Sequence, residues 1–439
     1  MAWWDEVASI PAVEVLVVGA GSAGSTASIA AARAGARVCL VDKLPFLGGT
    51  STAVLDTFYG FYTPGSASKK VVGGIADEVV YTLEQLGPVV QRPNTYGAGT
   101  GITYNSEHLK VAWESLVDDA HVRVLQHSLV QDVRNESGRI TAVLLATKAG
   151  LRQINPRVVI DCSGDADVCN YAGYSLEVAG ELDPAQSLTT TFKLVGVDSA
   201  LRATITKDEL HALMSQAADA GYVLPRKEGS DHITPIEGMT ATVMTRIPSY
   251  VEKDGRAINV TDPEYLSWAE HEGRRQAVEY TRFLVDCVPG YANASLVATS
   301  TQVGVRETRR VYGDYRLTRD DVLSARQFDD QIGLCGAPIE DHKPGEGTGW
   351  TYLPDGEVVG IPLRSLIVKD AENVLMAGRC FSATHDAHAS VRSMGQCMAM
   401  GQAAGVLAAM AVKDNLDVRA IHADRVRDDL RTSGAIVEI

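Results

Sequence analysis

The stretch Val13-Glu14-Val15-Leu16-Val17-Val18-Gly19-Ala20-Gly21-Ser22-Ala23-Gly24, followed after an alanine-rich run by Arg37-Val38-Cys39-Leu40-Val41-Asp42, decides the fold. An apolar run ends in glycine, small helix-compatible residues follow, and a second apolar run closes on an acid. Strand, tight turn, helix and strand at these spacings make a dinucleotide-binding unit. Gly19 lets the chain turn sharply, Gly21 lets backbone approach a pyrophosphate, and Gly24 lets the helix lie close on the sheet. The helix begins near Ser22 and Ala23, where unpaired amides and the positive dipole end favour an anion. Asp42 stands where a carboxylate accepts hydrogen bonds from ribose hydroxyls, and Lys43 beside it is counted with the same site.

The chain of 439 residues is long for a single core and implies two domains, or one interrupted by another. Its 45% hydrophobic and 22% charged residues are the balance of an ordinary globular protein. The net charge of -15 argues against a nucleic-acid or anionic-membrane surface. The seven cysteines are scattered without a CxxC pair, which fits reduced thiols in a cytoplasmic protein and gives no metal set. The opening Met-Ala-Trp-Trp-Asp-Glu carries no basic secretory stretch. No apolar run is read as long enough for a membrane span, so no membrane insertion is expected.

Gly48-Gly49-Thr50-Ser51 forms a second small-residue loop after the second strand. Sheet-like sequence returns at Val122–Val130, with a hairpin through Asn135-Glu136-Ser137-Gly138 into Ile140–Thr147. Arg157–Asp161 reads as a buried strand running into Cys162-Ser163-Gly164-Asp165, and Asn373–Met376 as another ending near Gly378-Arg379. Such separated segments join one sheet only if the residues between them form a second domain. Strand-like runs at Ser187–Val195 and Met239–Ile247, with helical runs at Lys207–Ala220 and Gly273–Cys287, place that domain at about 190–345. Residues 1–189 and 346–439 are then the two parts of the nucleotide-binding domain, and Gly336–Gly360 reads as the returning loop. From Ser390 to Val412 small and apolar residues suit one long buried helix, N-capped by Ser390 and packed tightly at Gly401 and Gly405.

These features resemble the FAD-dependent oxidoreductases of the glutathione-reductase and fumarate-reductase type, and more closely the bacterial family labelled FAD-dependent oxidoreductase. The resemblance rests on the opening GAGSAG unit, Gly48-Gly49-Thr50-Ser51, Val158–Asp167, Gly304-Val305-Arg306-Glu307-Thr308-Arg309-Arg310, and Ala377–Gly405. It implies an α/β fold, a Rossmann-like FAD-binding domain carrying an inserted α+β substrate domain. It also implies that Gly48, Gly49, Thr50 and Ser51 lie along the phosphate and flavin end, that Leu129 or Val130 lies near the adenine, and that Ser163, Gly164 and Asp165 make a second nucleotide-side contact. Many relatives end the late strand with Gly-Asp, whereas Gly378 is followed here by Arg379. The start of the C-terminal helix, with which Met394 and Gly395 are counted, is expected to face the flavin's pyrimidine edge. The histidine that carries flavin in the fumarate-reductase relatives has no counterpart in Gly48–Thr57, so non-covalent FAD is expected.

His385 and His388 are three apart, and either one exchanges a proton with substrate or both are bound into the helix start. Without a third ligand beside them no metal is expected. Arg306, Arg309, Arg310 and Arg392 either converge on an anionic substrate through guanidinium forks or pair with Glu307, Asp314, Asp320 and Asp321. Tyr312 and Tyr315 are read as a hydroxyl near the flavin or as packing. The leading expectation is a dehydrogenase or oxidase that moves a hydride between a small polar organic substrate and FAD, with electrons passing to a separate acceptor. Two alternatives are reduction of an activated carbon–carbon double bond in an anionic substrate, and a flavin-bearing subunit of a larger complex. Oligomeric state is not legible in the sequence.

Overall fold

Strand β1 (Val15–Val18), helix α1 (Ser22–Arg33) and strand β2 (Val38–Val41) form where the glycine pattern places them. Both strands are buried over their whole length, as a sheet covered on both faces requires. The computed structural model, which describes residues 7–11, 13–94, 97–342 and 347–439, adds β3 (Arg123–Leu125), β4 (Val158–Asp161) and a late strand at Val374–Met376. All pairs are parallel, and the order is late strand, β4, β1, β2, β3. The expected Val122–Val130 strand is broken: β3 joins this sheet, His127 adopts φ 52°, and Leu129–Glu136 turns away into a three-stranded sheet with Arg139–Thr147 and Gly150–Ile154.

A second body has its own antiparallel sheet, built from β5 (Phe192–Val195), β6 (Ser230–Ile233), β7 (Met239–Val243) and β8 (Ser295–Thr299) in the order β6-β7-β5-β8. Helices α2 (Lys207–Asp219) and α3 (Pro263–Cys287) cover it, and Phe192, Leu194, Met214, Tyr280, Phe283 and Leu284 fill its core. Helix α3 starts at Pro263 rather than Gly273 because the Asp262 carboxylate caps the amides of Glu264 and Tyr265 and proline suits a first turn. The return to the first body comes before residue 345. Leu317, Val322, Phe328, Ile332 and Leu334 already pack in the core beneath the parallel sheet. Nor is 336–360 a plain loop, since Ile339–Asp341 pairs with Gly349–Thr351 and Val359–Pro362 with Gln331–Cys335.

The C-terminal helix is two helices, α4 (His385–Val391) and α5 (Met394–Asp414), separated at Arg392 and Ser393. Ser390 is therefore not an N-cap; it lies inside α4 and donates its hydroxyl to the Ala337 carbonyl at 2.6 Å. Thr384 caps α4, and Ser393 in extended backbone precedes α5. Apolar periodicity runs through the break, which is why it is invisible in sequence. Contrary to expectation, α5 is long and apolar enough to cross a membrane, with an 18-residue window of mean hydropathy 1.3, but 94% of that window is buried inside the protein. It lies across α1 at close range. A Cβ on Gly401 would stand 2.1 Å from the Ala23 carbonyl oxygen, and one on Gly405 would stand 2.3 Å from that of Ala27. Gly401→Ala is therefore expected to destabilise the protein by about 1–3 kcal/mol or more. An unchanged urea midpoint would contradict this crossing.

Candidate functional site

The chain leaves β1 toward β2 on one side, while β4 lies on the other, so the carboxyl ends of β1 and β4 flank the point where an open α/β sheet binds its ligand. Gly19 makes the turn with φ 94°, and a Cβ there would meet the Cys162 carbonyl oxygen at 2.3 Å. Gly24 is equally constrained, its Cβ position lying 1.7 Å from the Gly19 carbonyl oxygen. Gly21 differs, because a Cβ there would meet nothing within 4 Å. Its bare backbone opens on a cleft of about 550 Å3, with Ser22 and Ala23 at the start of α1. The second glycine loop stacks on the first: Gly48 N–H donates to the Ala20 carbonyl at 2.7 Å, and Gly49 lies so close that its Cβ would stand 2.8 Å from the Gly21 Cα. Gly49 and Thr50 face the cleft, while Gly48 and Ser51 sit behind them, joined by a 2.7 Å hydrogen bond from the Ser51 hydroxyl.

Asp42 lines the same cleft and accepts the backbone N–H groups of Ala20 and Leu44. Its remaining lone pairs leave it able to accept further hydroxyls. Lys43 faces both this cleft and an adjoining lobe of about 360 Å3. Leu129 is half-exposed on that lobe, whereas Val130 turns into the core with Val133 and Val143. On the opposite wall Ser163 is tied to Asp161, and Gly164 turns at φ 78° against the Arg379 guanidinium. Arg379 donates to Asp165 at 2.8 Å, so the cation that replaces the relatives' acid after Gly378 is neutralised across the turn. Met394 lines the cleft too, but Gly395 packs against Gly60 and Phe61. The helix start at the cleft is thus that of α5, at Ser393 and Met394, rather than Ser390.

The cleft is also lined by Tyr59, Arg92, Arg226, His232, Arg306, Glu340, His342 and Arg392. Arg306 is anchored on the Ser187 carbonyl at 2.6 Å and the Thr189 hydroxyl at 2.7 Å, and Arg392 on Gln186 at 2.9 Å. Burial and the neighbouring Arg392 bring Arg306 down to about 9. Burial also lowers Arg226 and Arg392. The Nε atoms of Arg226 and Arg392 are buried without a hydrogen-bond partner among the described residues. Burial pushes Glu340 up, yet the His342 hydrogen bond and the Arg392 and Arg306 charges hold it at about 2. Burial, then Arg306, pushes His342 to about 3, so it is neutral, with Nε2–H donating to Glu340 at 3.0 Å and Nδ1 3.3 Å from the Thr348 hydroxyl.

Three expected placements are corrected. His385 and His388 do not line the cleft: His385 Nδ1–H donates to Glu307 at 3.0 Å, and His388, fully buried, donates Nε2–H to the Arg379 carbonyl at 2.7 Å. They belong to an internal node in which Glu307 also accepts the Gln186 amide and Arg310. Arg310 is further paired with Glu177, so it is structural. Arg309 braces the Asp165 turn, donating to the Asp165 carbonyl and to Asp167, rather than meeting substrate with Arg306. Tyr315 is remote from the cleft, donating to Asp321 at 2.8 Å and packing edge-on to Phe328. Tyr59, Arg92 and the 226–232 segment went unseen because they lie in irregular or second-body sequence with no motif. The charged cluster Arg226-Lys227-Glu228 was the one available signal. Among the described residues no group of three His, Cys, Asp or Glu is arranged for a metal, and all seven cysteines are free.

The internal node titrates with a definite sign. Burial raises Glu307, but His385, His388 and Arg310 outweigh it and hold the carboxyl at about 2. Its contribution is present above the ordinary glutamate value and is lost as pH falls toward 2. Burial holds His388 far below its usual value, adding destabilisation once pH falls below about 6.5. Glu307→Gln is expected to cost about 3–5 kcal/mol and to remove the glutamate part of this acid limb, read as urea midpoint against pH.

Residues 14–430 match the family model for FAD dependent oxidoreductases. A segment of 71 residues is 46% identical to the probable fumarate reductase Ifc3 of Shewanella frigidimarina, covering 16% of this chain and 11% of that protein. Over 227 residues the chain is 22% identical to the digeranylgeranylglycerophospholipid reductase of Thermoplasma volcanium, covering 50% of this chain and 55% of that one. The chain thus spans only about a tenth and about half of these two relatives. The solved structure of a geranylgeranyl bacteriochlorophyll reductase-like protein from Thermoplasma acidophilum shares the fold, with TM-score 0.50 and 13% identity over 96% of this chain and 84% of that one. FAD fits the site: Gly21 and Gly49 leave the bare backbone a pyrophosphate needs, Asp42 is placed for a ribose, and the cleft and its lobe have the size of a cofactor site. Gly21→Ala, in ordinary backbone at φ -66° with no internal clash, is expected to leave stability intact while weakening FAD binding at least about tenfold by fluorescence titration. From strand order to glycine cradle and family match, the chain belongs to the FAD dependent oxidoreductases, enzymes whose cofactor is FAD.

Proposed function

We propose that this enzyme exchanges a hydride between bound FAD and a carbon of a small anionic substrate gripped by Arg306 and Arg392. The observation that carries this reading is the set of guanidinium groups that line the cleft, with Arg226 and Arg392 each keeping a buried, unpartnered N–H. Buried donors without partners are costly, and an incoming carboxylate or phosphate would satisfy them. FAD, when bound non-covalently along Gly21 and Asp42, supplies the hydride chemistry. The protein binds, orients and excludes water. Arg306, fixed by two oxygens of the Ser187–Thr189 segment, presents its remaining donors in a set direction. Electrons then pass to a separate acceptor.

Oxidation of a polar substrate and reduction of an activated double bond place the same demand on these arginines. The 71-residue match to a probable fumarate reductase favours keeping the second direction as an alternative. Anaerobic holoenzyme is tested by adding pools of small carboxylates and phosphates to oxidised FAD, and by adding unsaturated acids to reduced FAD. Bleaching or reoxidation by an anionic pool supports the proposal and fixes the direction, whereas a response confined to uncharged compounds overturns it. Acid precipitation is expected to release FAD into the supernatant. With the substrate so identified, Arg306→Ala is expected to raise KM by about tenfold to a hundredfold.

A further inference from the structure

The loop before the strand at Thr57–Phe58 carries Asp56, buried and facing the second body. Across the second sheet His232 on β6 pairs with Ala241 on β7, and Ala241 with Lys193 on β5. The three therefore share one face, and the alanine between them leaves room for the longer chains to project. Both reach the same carboxylate: His232 Nε2–H donates to Asp56 Oδ1 at 2.8 Å, and Lys193 Nζ lies 3.8 Å from Oδ2. Burial pushes Asp56 up, but the His232 hydrogen bond with the His232, Lys193 and Arg92 charges outweighs it and holds the carboxyl below its usual value.

His232 lines the cleft together with Tyr59 and Arg92, which hydrogen-bond to each other at 3.0 Å. Its Nδ1 makes no hydrogen bond among the described residues. Three other histidines are not placed for this role: His342 is engaged at both nitrogens, and His385 and His388, each with one ring nitrogen that makes no hydrogen bond among the described residues, sit in the Glu307 node and do not line the cleft. We propose that His232, oriented by Asp56, is the group that exchanges a proton with the substrate. The Asp56 carboxylate fixes the proton on Nε2, so Nδ1 presents a lone pair to the cleft. In oxidation Nδ1 would take a proton from the substrate while bound FAD would supply the hydride acceptor; in reduction the imidazolium would return the proton. Asp56 is a positioning residue, acting through the imidazole. The charged groups around the pair are Arg92 from the first body, Lys193 from β5, and Asp231, which is turned to the opposite face and paired with Arg202.

This inference rests on the anionic-substrate reading, and the test separates the two. The probe is 3-nitropropionate, a carbon acid bearing the carboxylate that the arginines would hold. Holoenzyme is reduced anaerobically beforehand, so FAD cannot accept a hydride from the probe, and loss of the proton next to the nitro group to D2O is followed by NMR. Binding is followed separately as a perturbation of the oxidised flavin spectrum. Wild type is expected to bind the probe and to exchange it faster than buffer, with His232→Gln lowering exchange about a hundredfold while binding and the flavin spectrum persist. Asp56→Asn, which can hold the wrong tautomer, is expected to lower exchange about tenfold or more and to shift its pH profile. If Asp56→Asn fails to fold, the His232→Gln comparison decides alone. Binding with exchange that is absent in wild type or unchanged in His232→Gln overturns the role of His232. Failure of the probe to bind wild type overturns the anionic-substrate reading and this inference with it.

Discussion

The structure depends on how closely α1 is held between its neighbours. On one side Gly24 lets it touch the Gly19 turn, and on the other Gly401 and Gly405 of α5 press on the carbonyls of Ala23 and Ala27. A helix this rich in alanine, serine and glycine has little side-chain area of its own to bury. Its stability comes from backbone-range packing, where dispersion contacts are dense and any added methyl has nowhere to go. The same packing fixes the N-terminus of α1 against the end of β4, so the amides that open on the cleft are held in closely packed backbone. A pyrophosphate cradle needs that rigidity, because backbone donors cannot adjust as side chains do.

A second constraint is the buried carboxylate of Glu307. It gathers Arg310, His385 and the Gln186 amide around one charge. Gln186 in turn holds Arg392, and Glu307 directly follows Arg306 in the chain. Two arginines of the cleft are thus positioned from behind by one internal ion cluster. A buried cluster of this kind contributes little net stability, but removing a member leaves charges uncompensated. Its use here is placement. The break between α4 and α5 falls at the same place: Arg392 ends α4, Ser393 in extended backbone precedes α5, and both line the cleft.

The cleft has two walls of different origin. The parallel sheet supplies the glycine turns and Asp42, whereas the antiparallel sheet of the second body supplies Arg226 and His232. Asp56 bridges them by accepting from His232. The cleft is therefore lined by residues of two bodies, which contacts such as that from His232 to Asp56 hold together.

The sequence by itself determined the nucleotide-binding half, because its signals are local. Gly19, Gly21, Gly24 and Asp42 are fixed by turn geometry and helix length within thirty residues, and Gly401 and Gly405 announce a close crossing by their lack of side chains. Arg306 and Arg392 were legible only within a set of four arginines, with Arg309 and Arg310, and not as the two that line the main cleft. Tertiary structure alone decided the rest. His385 and His388 carry the residue type of a proton exchanger, yet burial beside Glu307 makes them part of the frame. His232 carries no motif, and it gains a partner and a cleft position only because β6 is laid beside β7 and against a loop 176 residues away. Which histidines face the cleft is set by long-range packing, and no local pattern encodes it.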